Sequence, residues 1–109
     1  VEQAQARWDG EDDLLREMGW LFIGELPSQL HMIQEAASRL DTKIITSVAH
    51  NIAGVAGNLS AIAIETTSRR LMDAAGAHDF VSIDMLVTQL SGLIPKFEQA
   101  LEHWARQRP

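Results

Sequence analysis

The chain has no cysteine. That excludes a disulfide scaffold, an iron–sulfur cluster, a thiolate zinc site and a cysteine nucleophile, and it allows a reducing compartment. Basic residues are few: nine Lys and Arg stand against fifteen Asp and Glu, a net charge of −6. A nucleic-acid surface needs clustered Lys and Arg to meet phosphates, so none is expected. Long apolar runs are missing too. The tightest, Trp20-Leu21-Phe22-Ile23, falls far short of the roughly 20 residues of a transmembrane helix, so no membrane contact is expected. No signal peptide is legible at the start. The chain opens on Val1 instead of Met, the start expected of a piece of something longer. Strand signals are nearly absent, with no Asn-Gly or Asp-Gly turn between alternating segments. A zinc-protease spacing, a Walker loop and a nucleophile elbow are absent as well.

What is present suffices for one domain over residues 1–109. Apolar residues make up 46% and charged residues 22% of the 109 positions, an ordinary balance for a chain that buries a core without metal or disulfide staples. Helical periodicity runs throughout. Phe80, Ile83, Val87, Leu90, Ile94, Phe97, Leu101 and Trp104 alternate steps of three and four, the seam of a helix packed in a bundle. Pro95 is expected to kink it. Leu15, Met18, Phe22, Leu26, Leu30, Ile33, Ala37 and Leu40 form a similar stripe. Pro27, with Gly24 before it, is expected to bend or split that helix.

Asp9-Gly10 suggests a break after a short extra N-terminal helix, with Trp8 packing back on the bundle. Asp41 is a good N-cap for a helix carrying Ile45, Val48, Ile52, Val55 and Leu59 inward. Gly57-Asn58 reads as its end. Ser60 is placed to cap the next helix, with Ile64, Leu71 and Ala75 inward. Gly76 closes that helix and Asp79 caps the last. Short loops force neighbours to be antiparallel. The expectation is an all-α, up-down four-helix bundle with a small N-terminal addition.

One helix face is unusual. His50 lies well away from the Val48–Ile52 stripe, and its neighbours three and four residues off are Ser47, Thr46, Ala53 and Gly54. From Thr46 to Gly57 there is no Lys, Arg, Asp or Glu, although an exposed helix face normally carries them. Gly54 sits mid-helix at a cost of roughly 1 kcal/mol relative to Ala. A protruding histidine on a surface stripped of bulk suits the close approach of another protein. His31 and Glu35 are four apart, but no second pair accompanies them, so no metal site is expected. His78 and His103 are expected to be solvated, and Met72 and Met85 to pack.

Ala49-His50-Asn51-Ile52-Ala53-Gly54-Val55-Ala56-Gly57-Asn58-Leu59-Ser60-Ala61 resembles the signature of histidine-containing phosphotransfer (HPt) domains, roughly A-H-x-L-K-G-x-A-x-N-[IL]-G-A. Glu25-Leu26-Pro27-Ser28-Gln29-Leu30 resembles the family's proline-bearing upstream helix. Arg70-Leu71-Met72-Asp73-Ala74-Ala75-Gly76-Ala77-His78-Asp79 resembles its L-E-x-A-A-x-x-G-D segment. The resemblance spans residues 12 to 104. It implies a four-helix bundle that neither binds ATP nor phosphorylates itself. His50 would accept a phosphoryl group from a receiver-domain aspartate and pass it to another receiver.

By the same resemblance Gly54 is the docking glycine, with Ala53, Ser47 and Gly57 around it. The Mg²⁺ and acidic cluster belong to the receiver, so this chain needs no cofactor. Receiver domains of response regulators or hybrid kinases are the implied partners, the isolated domain is monomeric, and the compartment is the cytoplasm, including the cytoplasmic end of a membrane sensor kinase. Departures stand beside the match. The family's Lys is Ala53 here, its Glu or Gln on the next helix is Met72, and a usual glycine is Ser60. Arg69 is the candidate to compensate the phosphoryl charge. Lys43, about 10 Å up the helix from His50, is expected to matter little. The rival reading is a bundle that docks a receiver without carrying phosphate.

Overall fold

The computed structural model describes residues 2–59 and 61–106, with side chains from 13 to 59 and from 61 to 104. Within them the chain forms four helices and no strand: α1 (Glu2–Ser38), α2 (Thr42–Asn58), α3 (Ile62–Gly76) and α4 (Phe80–Arg106). Helix α1 packs on α2 and α4, and α3 packs on α2 and α4. The diagonal pairs do not meet among the described residues. One cluster of buried side chains draws on all four helices, with Leu26, Ile33, Ile45, Ile52, Leu71, Ile83 and Leu90 at its centre.

The expected stripes largely supply that core. On α4, Ile83, Val87, Leu90 and Leu101 are buried, and Phe80, Ile94, Phe97 and Trp104 are half-buried. Phe97 meets Phe22 of α1 edge-on, with centroids 6.0 Å apart, and the Arg16 guanidinium lies 5.6 Å from the Trp104 ring. Between these contacts Gly19 faces Leu101 so closely that a Cβ there would come within 2.7 Å of Leu101 Cδ2. A side chain at residue 19 would push the Leu101 methyls aside, a requirement the apolar stripe did not reveal.

Two expectations about α1 and its partners need correction. Asp9-Gly10 does not break α1, which is continuous from Glu2 to Ser38, so there is no separate N-terminal helix. A glycine inside a helix costs only about 1 kcal/mol, and Gln, Ala, Arg, Glu and Leu around it favour the helix. The Trp8 side chain lies outside the described side chains. Pro27 does not split α1, and Pro95 lies inside α4, which is also continuous. Both are exposed, where the carbonyl each leaves unpaired can meet water. The inward face of α2 is rotated from the expected one. Ile45, Ala49, Ile52, Ala53 and Ala56 are buried, while Val48 and Val55 sit at its edge, half-buried.

The turns explain how three residues suffice between helices. After α1, the amide of Asp41 donates to the Ala36 carbonyl at 2.8 Å and that of Leu40 to Ala37 at 3.1 Å. After α3, Asp79 donates to Ala74 at 2.9 Å and His78 to Ala75 at 3.1 Å. These are the paired bonds of a Schellman closure. The residues in the left-handed position are Leu40 (φ 58°) and His78 (φ 55°), and no described glycine has positive φ. Gly76 is the last residue of α3, the end expected of it. Gly57-Asn58 likewise are the last residues of α2, whose C-cap is Leu59.

Asp41 and Asp79 each serve twice. Their amides close one helix and their carboxylates cap the next, Asp41 Oδ1 accepting from the Ile44 amide at 3.2 Å and Asp79 Oδ1 from the Ser82 amide at 3.1 Å. The Ser82 hydroxyl also donates to Asp79 Oδ2 at 2.6 Å. That side-chain bond, with the backbone bond behind it, holds the Asp79 carboxyl below the usual carboxylate range. The expected cap Ser60 lies outside the described residues. The N-cap position of α3 is Ala61, which makes no side-chain capping bond.

On α3, Ile64, Leu71 and Ala75 are buried as their spacing requires, but Ser68 shares their face, fully buried with its hydroxyl unpartnered. An unsatisfied buried hydroxyl costs about 1–3 kcal/mol. Ser68→Ala should therefore raise stability by about 1 kcal/mol, roughly 4 °C in melting temperature. Leu40 is 66% exposed in a left-handed conformation that costs a branched residue about 1–2 kcal/mol. Leu40→Gly should stabilise by about 1 kcal/mol in urea unfolding; a loss of stability would show that the left-handed turn is not the strained element.

Candidate functional site

Small side chains bring α2 and α3 together. Ala49, Ala53 and Ala56 of α2 are buried, as are Thr67, Ser68, Ala74 and Ala75 of α3. The smaller the residues at a contact, the closer two helix axes can lie. The row on α2 that turns toward α3 is Thr46, His50, Ala53 and Gly57, spaced by four, three and four. Its ends show the direction. Gly57 faces Glu65, and Thr46 shares a groove with Ala75 and Gly76.

His50 is exposed on that row, with exposed Thr46 and Ser47 one turn before it and exposed Gly54 one turn after. A Cβ on Gly54 would meet nothing within 4 Å. The fold therefore has no need of a glycine there, either for backbone conformation or for room. Its bareness leaves the approach to His50 open. The Thr46 hydroxyl is turned inward to its own helix, donating to the Thr42 carbonyl at 2.8 Å.

Other expected members of the site fall elsewhere. Ala53 is only 1% exposed, so it is no part of a docking face. It lies on the flank of α2 that α3 covers, a consequence of the rotated inward face. Gly57 is exposed, but its missing side chain is what admits Glu65, whose Oε2 would lie 3.0 Å from a Cβ. That same carboxylate oxygen holds Arg69 at 2.9 Å. Arg69 is exposed and already paired, one turn from Glu65, at the Gly57 end of the row. Met72, in place of the expected polar residue, packs half-buried against the core.

On the other side of His50, toward the start of α2, a groove of about 500 Å³ opens between α2 and the end of α3. Lys43, Ser47 and His50 line it from α2, and Gly76 and His78 from the α3 end. Lys43, two turns before His50 on α2, is expected from the sequence to matter little and His78 only to be solvated, but the same groove holds both beside His50. The usable signal was the short loop. If α3 runs back along α2, the end of α3 returns to the start of α2, which places His78 beside Lys43.

His31 Nε2 lies 3.2 Å from Glu35 Oε1 on α1, an exposed pair that also engages Arg39 at 3.8 Å. Among the described residues no three His, Asp or Glu side chains converge as metal ligands, and no helix is long and apolar enough to cross a membrane. Compared with protein-family models, characterised proteins and solved structures, the chain matches none of them.

The two glycines give opposite expectations. Gly54→Ala should stabilise by about 0.5–1 kcal/mol, since the new methyl enters open space on a helix. Gly57→Ala should gain less than half of that, because the methyl displaces the Glu65 carboxylate from its position beside Arg69. Urea unfolding of both variants checks the pair; equal gains would mean that Glu65 does not depend on Gly57.

Proposed function

We propose that this chain is a histidine phosphotransfer module of a multistep phosphorelay. The observation that carries the reading is His50 exposed mid-helix, on a stretch of α2 without a single charged residue, with open space at Gly54 one turn on. The four-helix core and the sequence resemblance around His50 support it. Consecutive helices are read as antiparallel, in an up-down bundle. Between α1 and α4, Gly19 meets Leu101 and Phe22 meets Phe97; between α2 and α3, Gly57 meets Glu65 and Thr46 shares a groove with Ala75; in each case one number falls as the other rises, which supports that reading.

The chemistry asks little of the module. The unprotonated nitrogen of a neutral imidazole attacks the phosphorus of a receiver's aspartyl phosphate. The P–O bond to the carboxylate breaks, the carboxylate leaves with the electron pair, and the other ring nitrogen keeps its proton. The neutral form of an imidazole keeps one nitrogen unprotonated for this attack. Phosphoryl transfer depends on positioning and charge neutralisation, and in this reading the receiver brings the Mg²⁺. The module binds no ATP and works in the cytoplasm as a monomer that meets receivers one at a time. An exposed nucleophile flanked by Gly54 suits a partner whose aspartate must approach to near contact.

Incubation with a panel of phosphorylated receivers should label the chain with acid-labile, base-stable phosphate. His50→Gln should abolish the label while leaving the melting temperature within about 2 °C, because a solvated side chain contributes little to stability. A label that survives in His50→Gln and disappears on changing His31, His78 or His103 would sink the assignment. Stable complex formation with a receiver and no label would favour the docking-only reading.

A further inference from the structure

The groove beside His50 has a composition that the proposed transfer leaves unused. Lys43 and Ser47 line it from α2, and Gly76 and His78 from the end of α3. No carboxylate lines it, on a chain whose net charge is −6. The two acids in the flanking turns are committed: Asp41 accepts from Ile44 and Asp79 from Ser82.

The donors, by contrast, are free. Lys43 is exposed, and neither its ammonium nor the Ser47 hydroxyl has a partner among the described residues. His78 is held by the backbone of the turn, at φ 55°, with its ring tilted against Phe80 at 6.5 Å between centroids. That placement presents an N–H donor in either protonation state and a positive charge in one. A Cβ at Gly76 would meet nothing within 4 Å, so the groove floor is open beside the imidazole. Side chains on a helix lean toward its N-terminus, so His50 leans into the groove and away from Arg69, while the long flexible chain of Lys43, two turns nearer that N-terminus, has to fold back along the groove to meet the same group.

Resting on the phosphotransfer reading of His50, we infer that this groove is a phosphate-oxyanion subsite, in which Lys43, Ser47 and His78 hold the phosphoryl group as it arrives on His50. Lys43 and His78 supply the neutralisation for which Arg69, paired to Glu65, is poorly placed. The recognised chemistry is a tetrahedral phosphoryl dianion with one apex at the His50 ring nitrogen.

Two measurements test this, and the first does not depend on phosphotransfer. Inorganic phosphate titrated into the protein at low salt should move the imidazole C–H resonances of His50 and His78 together and saturably, leaving His31 and His103 in place. Lys43→Gln should weaken that binding about fivefold, the scale of an exposed charge pair. Equal, unsaturated shifts at all four histidines would overturn the subsite.

The second measurement labels His50 with phosphoramidate, a small donor that needs no receiver. Lys43→Gln and His78→Gly should each slow labelling about fivefold at low salt, and the deficit should shrink at high salt as charge is screened. His78→Gly suits the left-handed backbone, so lost folding would not account for a lost rate. His78→Lys should restore it. Labelling within twofold of the unaltered chain in both variants would overturn the subsite even if receivers label His50 normally. Phosphoramidate labelling that depends on Lys43 and His78, with no labelling from any receiver, would uphold the subsite and reject the phosphorelay.

Discussion

The close seating of α2 against α3 governs the rest of the molecule. Both helices bury small residues, Ala49, Ala53 and Ala56 on α2 and Thr67, Ser68, Ala74 and Ala75 on α3. Short side chains contribute little area each, and most of the hydrophobic stabilisation comes from the isoleucines, leucines and Phe22 that the four helices bring to the shared core. The α2–α3 contact instead fixes a rotation. It turns the row of Thr46, His50, Ala53 and Gly57 toward α3, buries Ala53, and leaves His50 at the lip of the cleft. A bulky residue at 49, 53 or 56 would hold the helices apart and turn the histidine with them.

The turns enforce the same arrangement from the ends. Asp41, Ala61 and Asp79 each donate an amide to a carbonyl five residues back, at Ala36, Ala56 and Ala74. Reversals this tight leave α2 and α3 no freedom to slide along one another. At two of them the left-handed position holds Leu40 and His78 where glycine would be easier. The strain at Leu40 has no visible function in the fold. That at His78 fixes an imidazole at the mouth of the groove, where a glycine would leave nothing.

Helix number, core stripes and two of the caps were legible in the sequence because each is a local property: a three-four spacing, or an aspartate before an apolar run. Ile64, Leu71 and Ala75 took their expected face, and Asp41 and Asp79 their caps. Glycine marked two of the ends, Gly57-Asn58 at the close of α2 and Gly76 at the close of α3, but Gly10 lies within α1, and Gly19 and Gly57 also answer to a side chain on another helix, at Leu101 and Glu65. Such demands come from tertiary contact and leave no periodic trace. The candidate site divides in the same way. His50 and Gly54 stand out by the absence of charge along one helix and are exposed there, whereas the burial of Ala53 and the place of His78 in the groove that Lys43 lines depend on how α2 and α3 pack.

That division bears on how the site tolerates its own charge. A phosphoryl group on histidine would bring about −1.5 to −2 charges near neutral pH to a chain already at −6. Arg69 would have to leave Glu65 to help, stranding a carboxylate beside Gly57 and trading one pair for another. Lys43 gives up no partner among the described residues. Nor does a cation at residue 53 offer an easy substitute, since a lysine there would have to thread its chain out from a position buried between two helices. The alanine that departs from the HPt signature the chain resembles is thus a buried one. If His50 carries phosphate as proposed, a fold that buries residue 53 would draw positive charge from the open end of the cleft, and that end is where Lys43 and His78 stand.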